Sequence, residues 1–492
     1  MRGHDPAGIC GDFLEAHFRA QPEVASFLGC AEHDARLGDP SGAELGELRG
    51  FLAALEAIDP TSLDDDTRLD VDAALRVARF EERYLARDRH AENLELALLP
   101  HAAIRHASLH GYDASERIRA LPDFLARHAE NLRRGAREGR TPDRDVAIAF
   151  AERLLPAAAR AHDAYGPFAR FVADEIVPAA RADVRLGADE VRFRLREVMG
   201  VDATPDELLA IAHAELARVK DRVARADVPS LLARRGARYD DHLREATAFV
   251  RERAIVDVPE DLELAFEPLP PGIADGSAVT NWPPRLVQRG APGHVLVSPD
   301  PEAHAAVASR ALAVHEGIPG HYLQCAIWQR AFVTGESPRR ELVRYLPLHD
   351  DAALARGNMA TMPAVEGWAV HMERTLHRQG FFASDDEQAF VAVCDAIRAA
   401  RVVLDLELHA GDRPVAELAR FVADATGMPP RWAEAQVLRA RRMPLQGLCY
   451  LTGALAIEAL QASLDAEPAA FHRALLALGP VPPTRARNAL AA

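Results

Sequence analysis

The chain has 492 residues, 49% of them hydrophobic, and a formal net charge of −16. That length exceeds one simple core and is a soft prior for about three domain-sized units, while the acidity and the lack of any clustered basic patch exclude nucleic acid as the expected partner. Five scattered cysteines, Cys10, Cys30, Cys325, Cys394 and Cys449, exclude a disulfide framework and a cysteine-type metal site, and a reducing cytoplasm fits them best.

Met1 to Cys10 carries no basic segment followed by an apolar run, so no signal peptide is expected. No stretch reads as the 18 or so apolar residues of a membrane span, and no membrane partner is expected. Low aromatic content with abundant Ala, Leu, Arg and Glu favours helix over strand. Residues 11 to about 165 read as successive amphipathic helices, with Phe13, Leu14, His17 and Phe18 marking the first buried face. Thr61 to Asp66 reads as a helix start, its acids serving as caps rather than metal ligands. His101, His106 and His110 do not share one helix face, and they are read as ordinary surface or groove histidines. Thr204-Pro205-Asp206-Glu207 is a strong helix start, with a Thr cap, Pro at the first position and Glu at the third.

The pattern changes near Val256. Leu262 to Phe266 alternates like a strand, prolines and glycines from Pro268 to Gly272 break the chain, and His294 to Val297 reads as a second short strand. This is the one expected β region, about 256–298. Its edge would suit strand addition by an extended peptide, and a purely structural sheet accounts for it as well. Helix then resumes to the end of the chain.

Between these regions lies Ala313-Val314-His315-Glu316-Gly317-Ile318-Pro319-Gly320-His321. Two imidazoles bracket a carboxylate able to take a proton from an activated water. On a regular helix, residues six apart sit roughly 120° apart and share no metal. Pro319-Gly320 supplies an interruption that opens two readings. Either the helix is bulged and both imidazoles meet one zinc ion, or His315 ends one helix and His321 begins another. Downstream, Glu366 and Glu373 are seven residues apart and share a helix face on an apolar run. An inward carboxylate there calls for a positive partner, which a metal or an arginine would supply.

His315 to Gln324 resembles the signature of the family known as "domain of unknown function 885", which is grouped with gluzincin-type metallopeptidases. Glu366-Gly367-Trp368-Ala369 is similar to the family's second motif, and Arg398 to Arg401 through Asp405 and His409 to a third. Arg439, Pro444, Gln446, Tyr450 and Gly453 follow a fourth, and Phe471-His472 with Leu478 to Pro482 resembles the family's C-terminal end. The chain departs at Tyr322, where members often carry a second His, and at His371, Leu406, Glu407 and Ala440.

The resemblance implies a mainly α, multi-helix metallopeptidase-like architecture with a small antiparallel sheet beside the active-site helix. Residues 1–200 would form one wall of a cleft, and 201–492 the catalytic region. It implies a zinc cofactor held by His315, His321 and Glu366, with Glu316 as general base in cleavage of peptide or small amide bonds. Tyr450, and after it His409, are the candidates to steady the oxyanion; a buried core tyrosine is the other reading of Tyr450. Glu373, Arg398, Arg401, Arg439 and Tyr322 are expected behind the ligands or against substrate, with Arg398 and Arg401 also able to pair with Asp395 and Asp405. Two rival expectations are a metal-binding protein without turnover and a hydrolase of non-peptide amides such as acylated amino acids.

Overall fold

Polar caps mark where helices begin. The Thr204 hydroxyl accepts the Glu207 amide at 3.3 Å, and the Glu207 carboxylate takes the Thr204 amide at 2.8 Å, so two of the orphaned donors at this helix start are satisfied. Asp64 likewise accepts the Thr67 amide at 2.8 Å and starts α1 (Asp65–Ala86). Its second-turn acid, Asp70, is fully buried and pairs with Arg344 at 2.6 Å. The computed structural model describes residues 5–182, 185–269 and 278–491. The expected break at Pro270 to Gly272 lies outside them.

The architecture is mainly helical. Helices α2 (Leu99–His110) and α3 (Tyr239–Glu252) precede a small sheet. Its strands are β1 (Phe266–Pro268), β2 (Val279–Trp282) and β3 (His294–Val297), in the order β1-β3-β2. Strand β3 was expected at these residues. The expected antiparallel sheet is corrected to a mixed one: β2 runs antiparallel to β3, pairing Val279 with Val297 and Trp282 with His294, but β1 runs parallel to β3. The chain leaves β1, forms the far edge as β2, and only then returns through the middle, a crossover that side-chain alternation does not encode. The first strand also starts later than the alternation of Leu262 to Phe266 suggested. Pro268 is tolerated in it because β1 is an edge strand.

The helices that follow are α4 (Ala308–Leu312), α5 (His321–Thr334), α6 (Met362–Arg378), α7 (Asp385–His409), α8 (Pro430–Arg442) and α9 (Gln446–Leu464). One hydrophobic core joins Phe13, Phe18, Phe80 and Leu121 from the first third of the chain to Trp328, Tyr345, Val402 and Leu448 from the last. A second core lies under the sheet and contains Val295, Val314, Ile318, Trp368 and Met372. The histidine-bearing segment runs between the two. Helix α9 is long and apolar enough to cross a membrane, a length and composition that the sequence reading did not register. Here Leu448 and Leu451 are packed in the first core and Ile457 and Leu460 in the second.

Helices α6 and α9 touch backbone to backbone. A Cβ at Gly453 would fall 2.0 Å from the Pro363 carbonyl oxygen, and one at Gly367 would fall 2.5 Å from the Gly453 carbonyl carbon. Only glycine permits this approach. It brings Glu366 on α6 against Gln446 on α9.

Candidate metal centre

After Leu312 the helix widens into a π-turn over Ala313–Gly317, which carries His315 and Glu316. Such bulges shift side chains off the regular α-helical stagger. Ile318 is then extended, at φ −113° and ψ 125°, and helix resumes at His321. The interruption falls where Pro319-Gly320 was expected to place it. Trp368 of α6 holds it by donating its indole N–H to the Pro319 carbonyl at 3.0 Å. A Cβ at Gly320 would sit 1.9 Å from the His315 carbonyl oxygen, so glycine is needed for the chain to double back.

The result is two imidazoles facing one point. Their ring centroids are 4.7 Å apart with planes at 85°. Glu366 Oε2 lies 3.6 Å from His315 Nε2 and 3.4 Å from His321 Nε2. These three atoms lie within 4.8 Å of one another, and Glu366 is buried. Donors sharing one tetrahedral zinc at about 2.05 Å stand roughly 3.3 Å apart. Glu366 Oε2 is buried without any hydrogen-bond partner. An orphaned carboxylate oxygen is costly unless a cation meets it. Burial works to raise the Glu366 carboxyl, yet the two imidazoles outweigh it and hold it well below the usual carboxylate range. Burial also works against charge on His315, yet Glu366, Glu373 and Glu316 raise its pKa to about 10. The pocket calls for positive charge, and these residues fit a metal ion.

The neighbours orient the ligand set. His315 Nδ1 bonds to Glu373 Oε1 at 2.6 Å, which leaves Nε2 facing Glu366. Arg398 donates to the same Glu373 oxygen at 2.6 Å. Burial works to raise the Glu373 carboxyl, and the Arg398 charge with the His315 bond brings it down to about 2. Glu366 Oε1 accepts from Gln446 Nε2 at 3.0 Å. Glu316 is half-buried, and its Oε2 accepts the Asn281 amide of β2 at 3.1 Å. Burial raises the Glu316 carboxyl above its ordinary range, which suits a proton acceptor near neutral pH.

Tyr450 stands beside this cluster, its ring nearly parallel to that of His315 with centroids 6.2 Å apart. Its oxygen receives donors from Arg439 and Gln446, each at 3.2 Å. Burial, reinforced by the Glu366 charge, pushes its phenol up to about 12. Arg401 and Arg439 place their guanidinium carbons 5.2 and 5.8 Å from the Tyr450 ring.

Two expected site residues stand elsewhere. His409 bonds to the Ala440 carbonyl at 3.0 Å. It lies eleven residues beyond Arg398 on α7, about 16 Å along the helix axis, too far to steady an oxyanion at the cluster. Tyr322 packs in the second core and donates to the Glu263 carbonyl at 2.7 Å, with no hydrogen bond to His315, His321 or Glu366. Asn281 is a site residue that the sequence did not single out, and Gln446 was named there only as a motif residue with no role. Gln446 carried a usable signal, a buried amide opening an otherwise apolar helix. Asn281 carried none: its backbone N–H meets the Glu316 carboxylate and its side-chain amide donates to the Glu316 carbonyl at 3.3 Å, a pairing between distant segments that no local pattern shows. The histidines at 101 and 106 are buried rather than superficial. His106 packs beside His110, His349 and Trp282.

A family model described as "Bacterial protein of unknown function (DUF885)" matches residues 145–227 and 230–490. No curated protein matches the chain. Among solved structures, the chain is similar to a putative lipoprotein of unknown function from Shewanella oneidensis, with a TM-score of 0.73 at 16% identity over 100% of both chains. It is also similar to a putative lipoprotein from Colwellia psychrerythraea, with a TM-score of 0.72 at 16% identity over 99% of this chain and 98% of that one. At that identity the likeness is one of fold. The cytoplasmic location expected above does not stand, because the names of both neighbours point to a membrane-anchored or secreted position. The cysteines do not bear on location. All five are free and four are buried, and burial pushes the thiols of Cys10, Cys30, Cys325 and Cys394 up to about 12. Protonated, shielded thiols are inert and do not report on a redox compartment.

Proposed function

From the chain's membership of the DUF885 family and the geometry of its ligand cluster, we propose that it is a zinc-dependent hydrolase of peptide or other amide bonds. The observation that carries this reading is the convergence of half-buried His315 with buried His321 and Glu366, Glu316 being adjacent to His315 in the same π-turn. A bound zinc would polarise the substrate carbonyl and lower the pKa of a water to about 7.

Glu316 accepts the proton of the attacking water and returns it to the leaving nitrogen. Its raised pKa serves both transfers. Glu373 and Arg398 hold the His315 ring and its tautomer, so that Nε2 keeps its lone pair for a metal. Gln446 occupies the other oxygen of Glu366 and leaves Oε2 as the ligand atom. Arg439 and Gln446 together fill the lone pairs of the Tyr450 oxygen, so the phenol's own proton is directed elsewhere. During reaction its acceptor is the developing oxyanion.

The test is to load the protein with zinc and present it with mixed peptides and acylated amino acids, with Glu316→Gln in parallel. Cleavage by the parent protein is expected, together with a loss of about 10²- to 10⁴-fold in the variant while zinc is retained. Stoichiometric zinc in both His315→Ala and His321→Ala proteins would overturn the ligand assignment.

A further inference from the structure

Most half-buried or buried arginines near the centre are neutralised by an acid. Arg398 meets Glu373, and Arg374 meets Glu458 and Glu215. Arg401 and Arg439 differ. Arg401 Nε donates to the Gln436 side-chain oxygen at 2.9 Å, and Arg439 donates to the Gln446 side-chain oxygen at 2.7 Å. Neutral amides therefore hold both guanidinium groups in place, and the acids Glu366, Asp350 and Asp405 act on them through charge without a direct ion pair among the described residues. Both side chains remain partly exposed. Burial and the facing Arg439 charge together lower Arg401 to about 10. Two like charges held against one tyrosine ring are costly unless an anion joins them. A planar, bidentate cation is the side chain best matched to a carboxylate.

We propose that Arg401 and Arg439 form a subsite for a free carboxylate of the substrate, one or two residues beyond the bond that is cut. The reading rests on the hydrolase proposal for what is cut, but not for what is bound. The reach follows from Tyr450, which links the arginines to the metal ligands. The Arg401 guanidinium lies within roughly 11 Å of the His315 ring, the two legs through Tyr450 being 5.2 and 6.2 Å. Two extended residues span about 7 Å, and a guanidinium–carboxylate contact adds about 3 Å. The substrate class is then short peptides, or acylated amino acids, ending in a free carboxyl group. The enzyme acts from that end.

Two measurements on the full-length protein test this. In the first, acetylated di- and tripeptide mixtures are made once as free acids and once as C-terminal carboxamides. Their binding to zinc-stripped protein is read by saturation-transfer NMR. The acids are expected to bind at least tenfold more tightly than the amides. Arg401→Gln is expected to bring the ratio near one, and Arg401→Lys, which keeps the charge without the planar fork, to recover part of it. The acid-to-amide comparison in the unaltered protein needs no variant to fold. In the second, zinc-loaded protein is given the same mixtures, and mass spectrometry locates the cut. Cleavage within two residues of the free carboxyl end is expected, at least a hundredfold slower with carboxamides. Equal or undetectable binding of acids and amides, or a preference that survives in Arg401→Gln, overturns the subsite. An arginine-dependent acid preference without any cleavage upholds the subsite and defeats the hydrolase reading. Cleavage indifferent to the terminal group does the reverse.

Discussion

Gly453→Ala tests whether the helix contact builds the metal centre. The new methyl would lie 2.0 Å from the Pro363 carbonyl oxygen and 2.8 Å from the Gly367 Cα. Ordinary contact needs more than 3 Å, so α6 and α9 must separate by roughly 1 Å. Overpacking of this kind costs about 1–3 kcal/mol. The better helix propensity of alanine returns about 1 kcal/mol. A net destabilisation of about 0–2 kcal/mol follows from these two magnitudes. The effect on the site is larger in proportion. Glu366 immediately precedes Gly367, and its Oε1 is held from α9 by Gln446 at 3.0 Å. Metal bonds tolerate displacements of only about 0.2 Å. Zinc affinity is therefore expected to fall more than tenfold, read by competition with a chromogenic chelator, with urea unfolding of the zinc-free protein measured alongside. Unchanged zinc affinity in a variant that is destabilised as calculated would show that α9 does not position Glu366.

His321→Ala and Glu366→Gln are expected to abolish the stabilisation by zinc, which at a hundred times the dissociation constant is about 2.7 kcal/mol in the parent protein; calorimetry of stripped and reloaded samples reads it. Tyr450→Phe is expected to keep zinc and substrate affinity while kcat falls about 10²- to 10³-fold, and an unchanged kcat would remove the phenol from the reaction. The Arg398 charge and the His315 bond hold the folded Glu373 carboxyl at about 2 against its burial, below the ordinary 4.5. Its contribution to the stability of zinc-free protein is thus complete above pH 4.5 and is lost as pH falls toward 2. Glu373→Gln is expected to flatten that acid slope in urea midpoints, and an identical slope in the variant would mean that other groups produce it.

The part of the centre legible in the sequence was the part written in local chemistry. Two imidazoles six residues apart require a broken helix to meet, and Pro319-Gly320 announced the break; an acid on the apolar run around Glu366 required a cation. What escaped depends on distant segments meeting. His409 follows Arg398 and Arg401 on one continuous helix, and helical rise carries it away from the cluster although it lies close to them in sequence. Asn281 reaches Glu316 with both its backbone N–H and its side-chain amide, from a strand that no local pattern connects to the histidine segment. The parallel pairing of β1 with β3 follows from the route of the chain between strands, while alternation reports only which face is buried. Gly367 and Gly453 show the same limit, because each reads as a weak helix residue until the other is seen against it.

Helix α6 supplies the carboxylate of the cluster through Glu366, fastens the Pro319 carbonyl through Trp368, and steers the first imidazole through Glu373. The ten residues from His315 to Gln324, transplanted alone into another helical bundle, would carry two imidazoles with nothing to aim them. The smallest portable unit is the broken helix together with α6, and α6 in turn brings Arg398 from α7 and the glycine seam with α9. Recombination that exchanged the signature while leaving α6 behind would yield a folded chain with a mute motif, and a designer borrowing this centre would have to move four helical segments at once.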